Sequence, residues 1–301
     1  MRSCFNVLFG LLVVLLVSPR VSAFEEDLSS AHINGIQMAY MDLGDGGSPA
    51  AILIMGLGSS HRVWGHEIVD GLLEAGYRVV IFDNRDTGGT QRFDEHGRLL
   101  WWELLKDQLG FDVNEVYTLR DLAADTAALM DHLEINSGHI VGVSMGGMIA
   151  QIFAAEWPER TDSLTSIMSS PGFRDDLPEP TDEALELLDS TVPSESELKE
   201  LHATGIYPLS VERQLLAILD AGDRSEAVST IEVPSLVIHG MDDGLFPVEH
   251  GKATAALIQN SRLVTYQDMG HDIPDAVLPL LIEELIKHFQ SAGHIEPEAE
   301  L

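Results

Sequence analysis

The chain has 301 residues, 45% hydrophobic and 22% charged, which is enough for one large α/β domain or two smaller ones around a sizeable core. Its 49 acidic against 17 basic side chains give a formal charge of −32, which excludes nucleic acid and anionic membrane surfaces as partners, since both would repel it. The acids are spread along the chain and read as a strongly hydrated surface rather than a cation site; the sequence holds no EF-hand-like loop.

The opening residues, MRSCFNVLFGLLVVLLVSPRVSA, have the parts of a secretory leader. Arg2 supplies the positive start, Val7 to Val17 the apolar stretch, and Val21-Ser22-Ala23 a small-residue cleavage site. The apolar stretch is well short of the ~20 residues that span a bilayer as a helix, so it predicts a signal peptide over 1–23 and no stable membrane anchor. Cleavage after Ala23 places the mature protein in a secreted or periplasmic location. It also removes Arg2 and Arg20 but no acid, which takes the charge from −32 to −34. The single cysteine, Cys4, lies in the leader, so the mature chain has no disulfide and relies on its core.

AHINGIQMAYMDLG predicts two short strands joined at Asn34-Gly35, a favoured hairpin turn. AAILIMGLG (51–58) is a buried strand that ends in a glycine turn, and HRVWGHEIVDGLLEAG an amphipathic helix stopped by Gly76. YRVVIFDNRDTGG gives a second buried strand and loop, and LRDLAADTAALMDHLEI a helix. HIVGVS reads as a strand, MGGMIAQIFAAEW as a helix halted before Pro158, and LTSIMSS as the next strand. This alternation predicts right-handed crossovers and a mostly parallel central sheet flanked by helices.

From Gly172 to about Thr230 the rhythm breaks. The stretch is acidic and proline-punctuated, helix-like in places, with no clear strand. Then VPSLVIHG and RLVTYQDMG restore buried strands, and DAVLPLLIEELIKHFQ closes the chain with a helix. The predicted division is a leader over 1–23, a core over 24–172, a small helical lid over 173–230, the rest of the core over 231–292 and an acidic tail over 293–301. An insertion of this kind covers the carboxyl ends of the strands, where open α/β sheets bind ligands.

Gly142-Val143-Ser144-Met145-Gly146 fits G-x-S-x-G, a strand, a sharp turn and a helix with a hydroxyl at the apex. A serine needs a base to take its proton and a third group to orient that base. Among the downstream histidines, His271 lies in a loop after a predicted strand and before the last helix. His202 falls in the lid, His239 within a strand, and His250, His288 and His294 in helix or tail. For the acid, Asp242 and Asp243 both stand at the carboxyl end of VPSLVIHG, and position alone does not choose between them.

Taken in order, LIMGLG, FDNRDTGGT, GVSMGG, HGMDDGLFP and MGHDIP resemble the α/β-hydrolase fold superfamily, in its lidded serine esterase branch of the aclacinomycin methylesterase type. The resemblance covers about residues 32–290. It implies Ser144 as nucleophile, His271 as base and, through Gly240, Asp243 and Pro247 of G-x-x-D-x-x-x-P, Asp243 rather than Asp242 as acid. It also implies oxyanion-hole N–H groups from Leu57 and Met145, although Met55-Gly56-Leu57-Gly58 lacks the family's His-Gly opening. Asp83-Asn84-Arg85-Asp86 resembles the family's D-x-R-G-x-G-x-S loop with Asp86 in place of the usual glycine, which implies a bracing role.

The expected reaction is cleavage of a carboxylic ester through an acyl-enzyme, with no metal and no organic cofactor. Serine at the elbow disfavours the aspartate-nucleophile dehalogenases and epoxide hydrolases of this fold. Acyl transfer, C–C bond hydrolysis, lactonase, cofactor-free haloperoxidase and aminopeptidase chemistry share the same triad, and a non-catalytic ligand-binding protein is the reading from another class. The run Leu99, Leu100, Trp101, Trp102 packs the lid or lines the pocket. Met55, Leu57, Trp64 and Met145 offer apolar surface, so the expected partner is a small, fairly apolar ester.

Overall fold

Asn34 (φ 48°) and Gly35 (φ 80°) both adopt the left-handed conformation that a two-residue hairpin turn needs. They join Ser29–Ile33 (β1) to Ile36–Leu43 (β2) in antiparallel register, Ile33 opposite Ile36. The computed structural model describes residues 28–96, 102–103, 106, 114–184, 195–203 and 205–293. The leader, Leu99, Leu100 and Trp101, and the tail from 294 lie outside the described residues.

Six further strands follow: Ala50–Ile54 (β3), Arg78–Phe82 (β4), Gly138–Val143 (β5), Thr161–Ile167 (β6), Ser235–Gly240 (β7) and Ser261–Tyr266 (β8). They build one eight-stranded sheet in the order β1-β2-β4-β3-β5-β6-β7-β8, parallel from β4 to β8. Strands β3, β4, β5 and β7 are buried at every position, which is why their sequences read as largely apolar runs rather than alternating ones.

Helices cover both faces. Leu119–His132 (α2) and Met145–Glu156 (α3) pack on one face, and Gly65–Glu74 (α1) and Leu278–Ala292 (α8) on the other. Along β3 the alternation is direct: Ile52 and Ile54 enter the core under α2 and α3, while Ala51 and Leu53 enter the core under α1 and α8. Thr118 starts α2 with a reciprocal cap, its side chain accepting from the Asp121 N–H while the Asp121 carboxylate accepts from the Thr118 N–H.

Between β6 and β7 the chain forms Glu195–Ala203 (α4), Pro208–Ala221 (α5) and Ser225–Ser229 (α6). Glu249–Leu257 (α7) lies between β7 and β8 and carries His250. No helix among the described residues is long and apolar enough to cross a membrane.

Candidate active site

The turn from β5 into α3 is forced by contact between backbones. A Cβ on Gly142 would collide with the Gly146 carbonyl oxygen, and one on Gly146 with that of Ile54. Only hydrogen fits at either position, so strand and helix close tightly around residue 144. Ser144 takes φ 55° and ψ −119°, a conformation that costs a non-glycine residue roughly 1–3 kcal/mol. The surroundings hold it there: its N–H donates to Ile167 O at 2.9 Å, and its carbonyl accepts from Ser169 Oγ at 2.8 Å and from the Gly147 N–H at 2.9 Å.

His271 stands in the loop after β8, with Nε2 3.0 Å from Ser144 Oγ and Nδ1 2.8 Å from Asp243 Oδ2. An ionised carboxylate can only accept, so Nδ1 carries the ring proton and Nε2 presents its lone pair to the serine hydroxyl. Phe246 meets the His271 ring edge-on, with centroids 5.6 Å apart. All three side chains are buried, Ser144 at 6%, Asp243 at 3% and His271 at 9% exposure.

The turn after β7 also separates the two aspartates. Asp242 points to solvent, whereas Asp243 is buried and bonded to His271. Its Oδ1 accepts the N–H groups of Leu245 at 2.9 Å and Phe246 at 2.8 Å. Oδ2, besides His271, lies 3.4 Å from His239 Nε2. Burial alone would raise the Asp243 pKa, but the hydrogen bonds from His239 and His271, the electrostatic attraction to the His271 ring and the Phe246 N–H outweigh it and hold the carboxyl well below the usual range. Nε2 of His239 also faces the Phe246 carbonyl at 2.7 Å, so it is the protonated nitrogen, and Nδ1 is buried with no partner among the described residues. The sequence reading passed over His239 as a strand residue; its spacing of four from Asp243, across a strand end, was the available signal.

Gly240 ties the acid turn to the histidine loop. A Cβ there would lie 2.6 Å from Met269 C and 2.7 Å from Gly270 O, and closer still to Met269 O. The Asp242 N–H donates to Met269 O as well.

Met145 opens α3, so its N–H lies at the positive end of a 12-residue helix. The loop after β3 comes against the serine from the other side, with a Cβ on Gly56 reaching 3.2 Å from Ser144 Cβ. Among the described residues, neither the Leu57 N–H nor the Met145 N–H donates to another group. Of the four apolar side chains expected to face substrate, Met55, Trp64 and Met145 are core residues at 1–3% exposure, and only Leu57 is partly open. Trp102 is 51% exposed.

The loop after β4 braces the site from behind. Asp83 accepts from the His61 N–H at 2.7 Å, from His61 Nδ1 at 2.8 Å and from the Gly89 N–H at 2.8 Å, and Arg85 forms a two-pronged pair with Asp125. Asp86 adopts φ 73°, and its carboxylate is gripped by Arg213 of α5 through two bonds of 2.7 Å and by Tyr117 Oη at 2.7 Å. Burial and the neighbouring Asp86 carboxylate push the Tyr117 phenol well above its ordinary pKa, so it remains a donor.

Residues 49–198 match the α/β hydrolase fold family. A Mycobacterium tuberculosis protein named as a non-haem bromoperoxidase is 30% identical over 80% of this chain and 95% of its own length. The chain belongs to the α/β-hydrolase fold family. It is a hydrolase-fold enzyme, as the five sequence blocks implied. A rhodomycin D methylesterase of Streptomyces peucetius is 28% identical across 83% of this chain and 94% of that protein. Among solved structures, an enol-lactonase of Burkholderia xenovorans superposes with a TM-score of 0.66 over 87% of this chain and 100% of its own, at 21% identity, which speaks for the fold alone.

Proposed function

We propose that the protein is a serine hydrolase that cleaves a small carboxylic ester through an acyl-enzyme on Ser144. The observation that carries this reading is the continuous chain from Ser144 Oγ through the His271 ring to the Asp243 carboxylate, with bonds of 3.0 and 2.8 Å. As Oγ attacks the ester carbonyl, its proton passes to His271 Nε2, and Asp243 stabilises the imidazolium that forms. The negative charge on the carbonyl oxygen falls to the N–H groups of Leu57 and Met145. His271 then protonates the leaving alcohol. In the second half, a water gives its proton to His271, attacks the acyl carbon and releases the acid with Ser144 restored.

The methylesterase relative supports an ester as the substrate class, and partly exposed Leu57 supports an apolar group beside the carbonyl. Residues 173–230 act as a helical cover over this site, and residues 1–23 act as a leader that is removed after Ala23 on export. N-terminal sequencing of the secreted protein tests the leader: a start at Phe24 supports it, and a start at Met1 rules it out.

The test of the chemistry is hydrolysis of p-nitrophenyl esters from acetate to decanoate by wild type and Ser144→Ala, with fluorophosphonate labelling of each. Wild-type turnover and labelling, both lost in the variant, support the reading. Turnover unchanged by the substitution refutes it. Labelling at Ser144 without turnover of any ester moves the substrate to another acyl donor, and neither labelling nor turnover leaves a binding protein.

A further inference from the structure

Helix α5 belongs by sequence to the segment between β6 and β7, yet it grips the loop that carries the Leu57 N–H. Gln214 is fully buried, and its Oε1 accepts the Gly58 N–H at 2.7 Å while its Nε2 donates to Arg85 O at 2.9 Å. One amide thus ties the loop after β3 to the loop after β4. Gly58 has φ 67°, and a Cβ there would lie 2.7 Å from Val211 Cγ2, so α5 also packs against the loop with no gap. The Leu57 side chain packs against Val211 and Ile206.

Fixing the Gly58 N–H fixes the plane of the Leu57–Gly58 peptide. The preceding plane, Gly56–Leu57, is fixed by the bond from the Ser59 N–H to Gly56 O at 3.2 Å. The Leu57 N–H lies in that second plane and has no internal acceptor among the described residues; with both planes held, the 56–59 turn keeps one place against Ser144, where a Cβ on Gly56 would come 3.2 Å from Ser144 Cβ. The helix itself cannot drift, because Arg213, adjacent to Gln214, is locked to Asp86.

The geometry points to Gln214 as a positioning residue that holds the 56–59 turn, and with it the Leu57 N–H, in place for the reacting carbonyl oxygen. This rests on the ester-hydrolase reading above and adds to it that α5 is a fixed wall of the oxyanion site. Without Gln214, the Gly58 N–H is left buried and unpaired, and a shift of the whole 56–59 turn, which carries the Leu57 N–H with it, becomes the way to satisfy it. Outright removal of an oxyanion donor costs ~10²–10³ in kcat. Loosening one costs less, on the order of tenfold.

The experiment compares wild type, Gln214→Met and Gln214→Glu. Methionine has similar length and breaks both bonds; glutamate, in either protonation state, keeps an oxygen for the Gly58 N–H. Each protein is titrated with a fluorophosphonate to count working sites. Then kcat and KM for p-nitrophenyl butyrate and Ki for a trifluoromethyl ketone, whose adduct carries an oxyanion, are measured per titrated site. The expected result for Gln214→Met is a kcat lowered about tenfold, KM within about twofold and Ki raised by the same factor as kcat/KM falls. Gln214→Glu should stay within about threefold of wild type. A Gln214→Met protein with fewer titratable sites but wild-type kcat per site shows a purely structural role and overturns the proposal. So does equal loss of kcat in both variants with Ki unmoved. A wild type that neither titrates nor hydrolyses fails at the earlier step and removes the ester-hydrolase reading itself.

Discussion

Two histidines far from the candidate site make the fold sensitive to acid. His139 of β5 is 4% exposed, stacked on Phe289 with centroids 4.2 Å apart, and its Nδ1 lies 2.9 Å from Ser163 Oγ. His288 of α8 is 6% exposed, and its Nε2 donates to Leu164 O at 3.1 Å. Burial lowers both pKa values to about 4, with the charge of His288 adding to the effect on His139. The unfolded chain takes up these protons near pH 6.5, before the folded chain does. Their contribution to stability is therefore complete above pH 6.5 and is lost as pH falls toward 4. At pH 5 each histidine costs about 2 kcal/mol, and the pair about 4 kcal/mol, a large part of the roughly 5–15 kcal/mol that holds a domain folded. Urea unfolding at pH 7.5 and pH 5 measures the loss. His288→Gln keeps an N–H for Leu164 O but never titrates, so the loss between the two pH values should shrink by about 2 kcal/mol. An equal loss in wild type and variant, or no loss in wild type, would refute the assignment to this pair.

Gly240→Ala forces the acid turn away from the histidine loop, since every Cβ contact there falls under 3.0 Å. A displacement of that order lowers kcat on p-nitrophenyl butyrate about 10²-fold per titrated site, and wild-type turnover would contradict it. His239→Leu deprives Asp243 of its long hydrogen bond and lowers kcat about fivefold, the equivalent of about 1 kcal/mol, while His239→Gln retains a donor and most of the rate. Identical kcat values for the two variants would remove His239 from the site. Arg213→Met strands the buried Asp86 carboxylate and costs about 3–5 kcal/mol in urea unfolding. The double variant Asp86→Gly, Arg213→Met removes that charge and puts glycine at φ 73°, so it recovers most of the loss; a double variant no better than the single would show the pair is not coupled.

The sheet and its hairpin were legible because their signals are local. Asn34-Gly35 dictates its turn, largely apolar runs mark strands covered on both faces, and Gly142 and Gly146 announce the elbow. Ser144, Asp243 and His271 could be read from motifs at strand ends, where side chains project from positions that the alternation already fixes. The bracing was legible only in part: the loop over Asp83–Asp86 was expected to brace, but its partners from distant segments were not. Gln214 meets Gly58 across 156 positions, and Asp86 meets Arg213 across 127, in a segment whose polar residues read as surface. No periodicity tells a solvated glutamine on a helix from one that reaches a buried amide, since helix position fixes which residues share a face but not what the face meets. The helix over 249–257 was legible only in the placing of His250 in helix or tail: it is short, and its buried positions are His250, Gly251 and Thr254, with little amphipathic contrast.

The candidate base hangs from the outermost strand. β8 pairs with β7 alone, its residues are half-buried or exposed along its length, and His271 follows it directly. Ser144 and Asp243, by contrast, follow the interior strands β5 and β7. Protein structure loosens first at such margins, where fewest contacts must break. The candidate triad is therefore fastened at one end to a margin of the sheet. Heat should disable this enzyme by detaching the candidate base while the sheet still stands, so that inactivation and melting are two separate events.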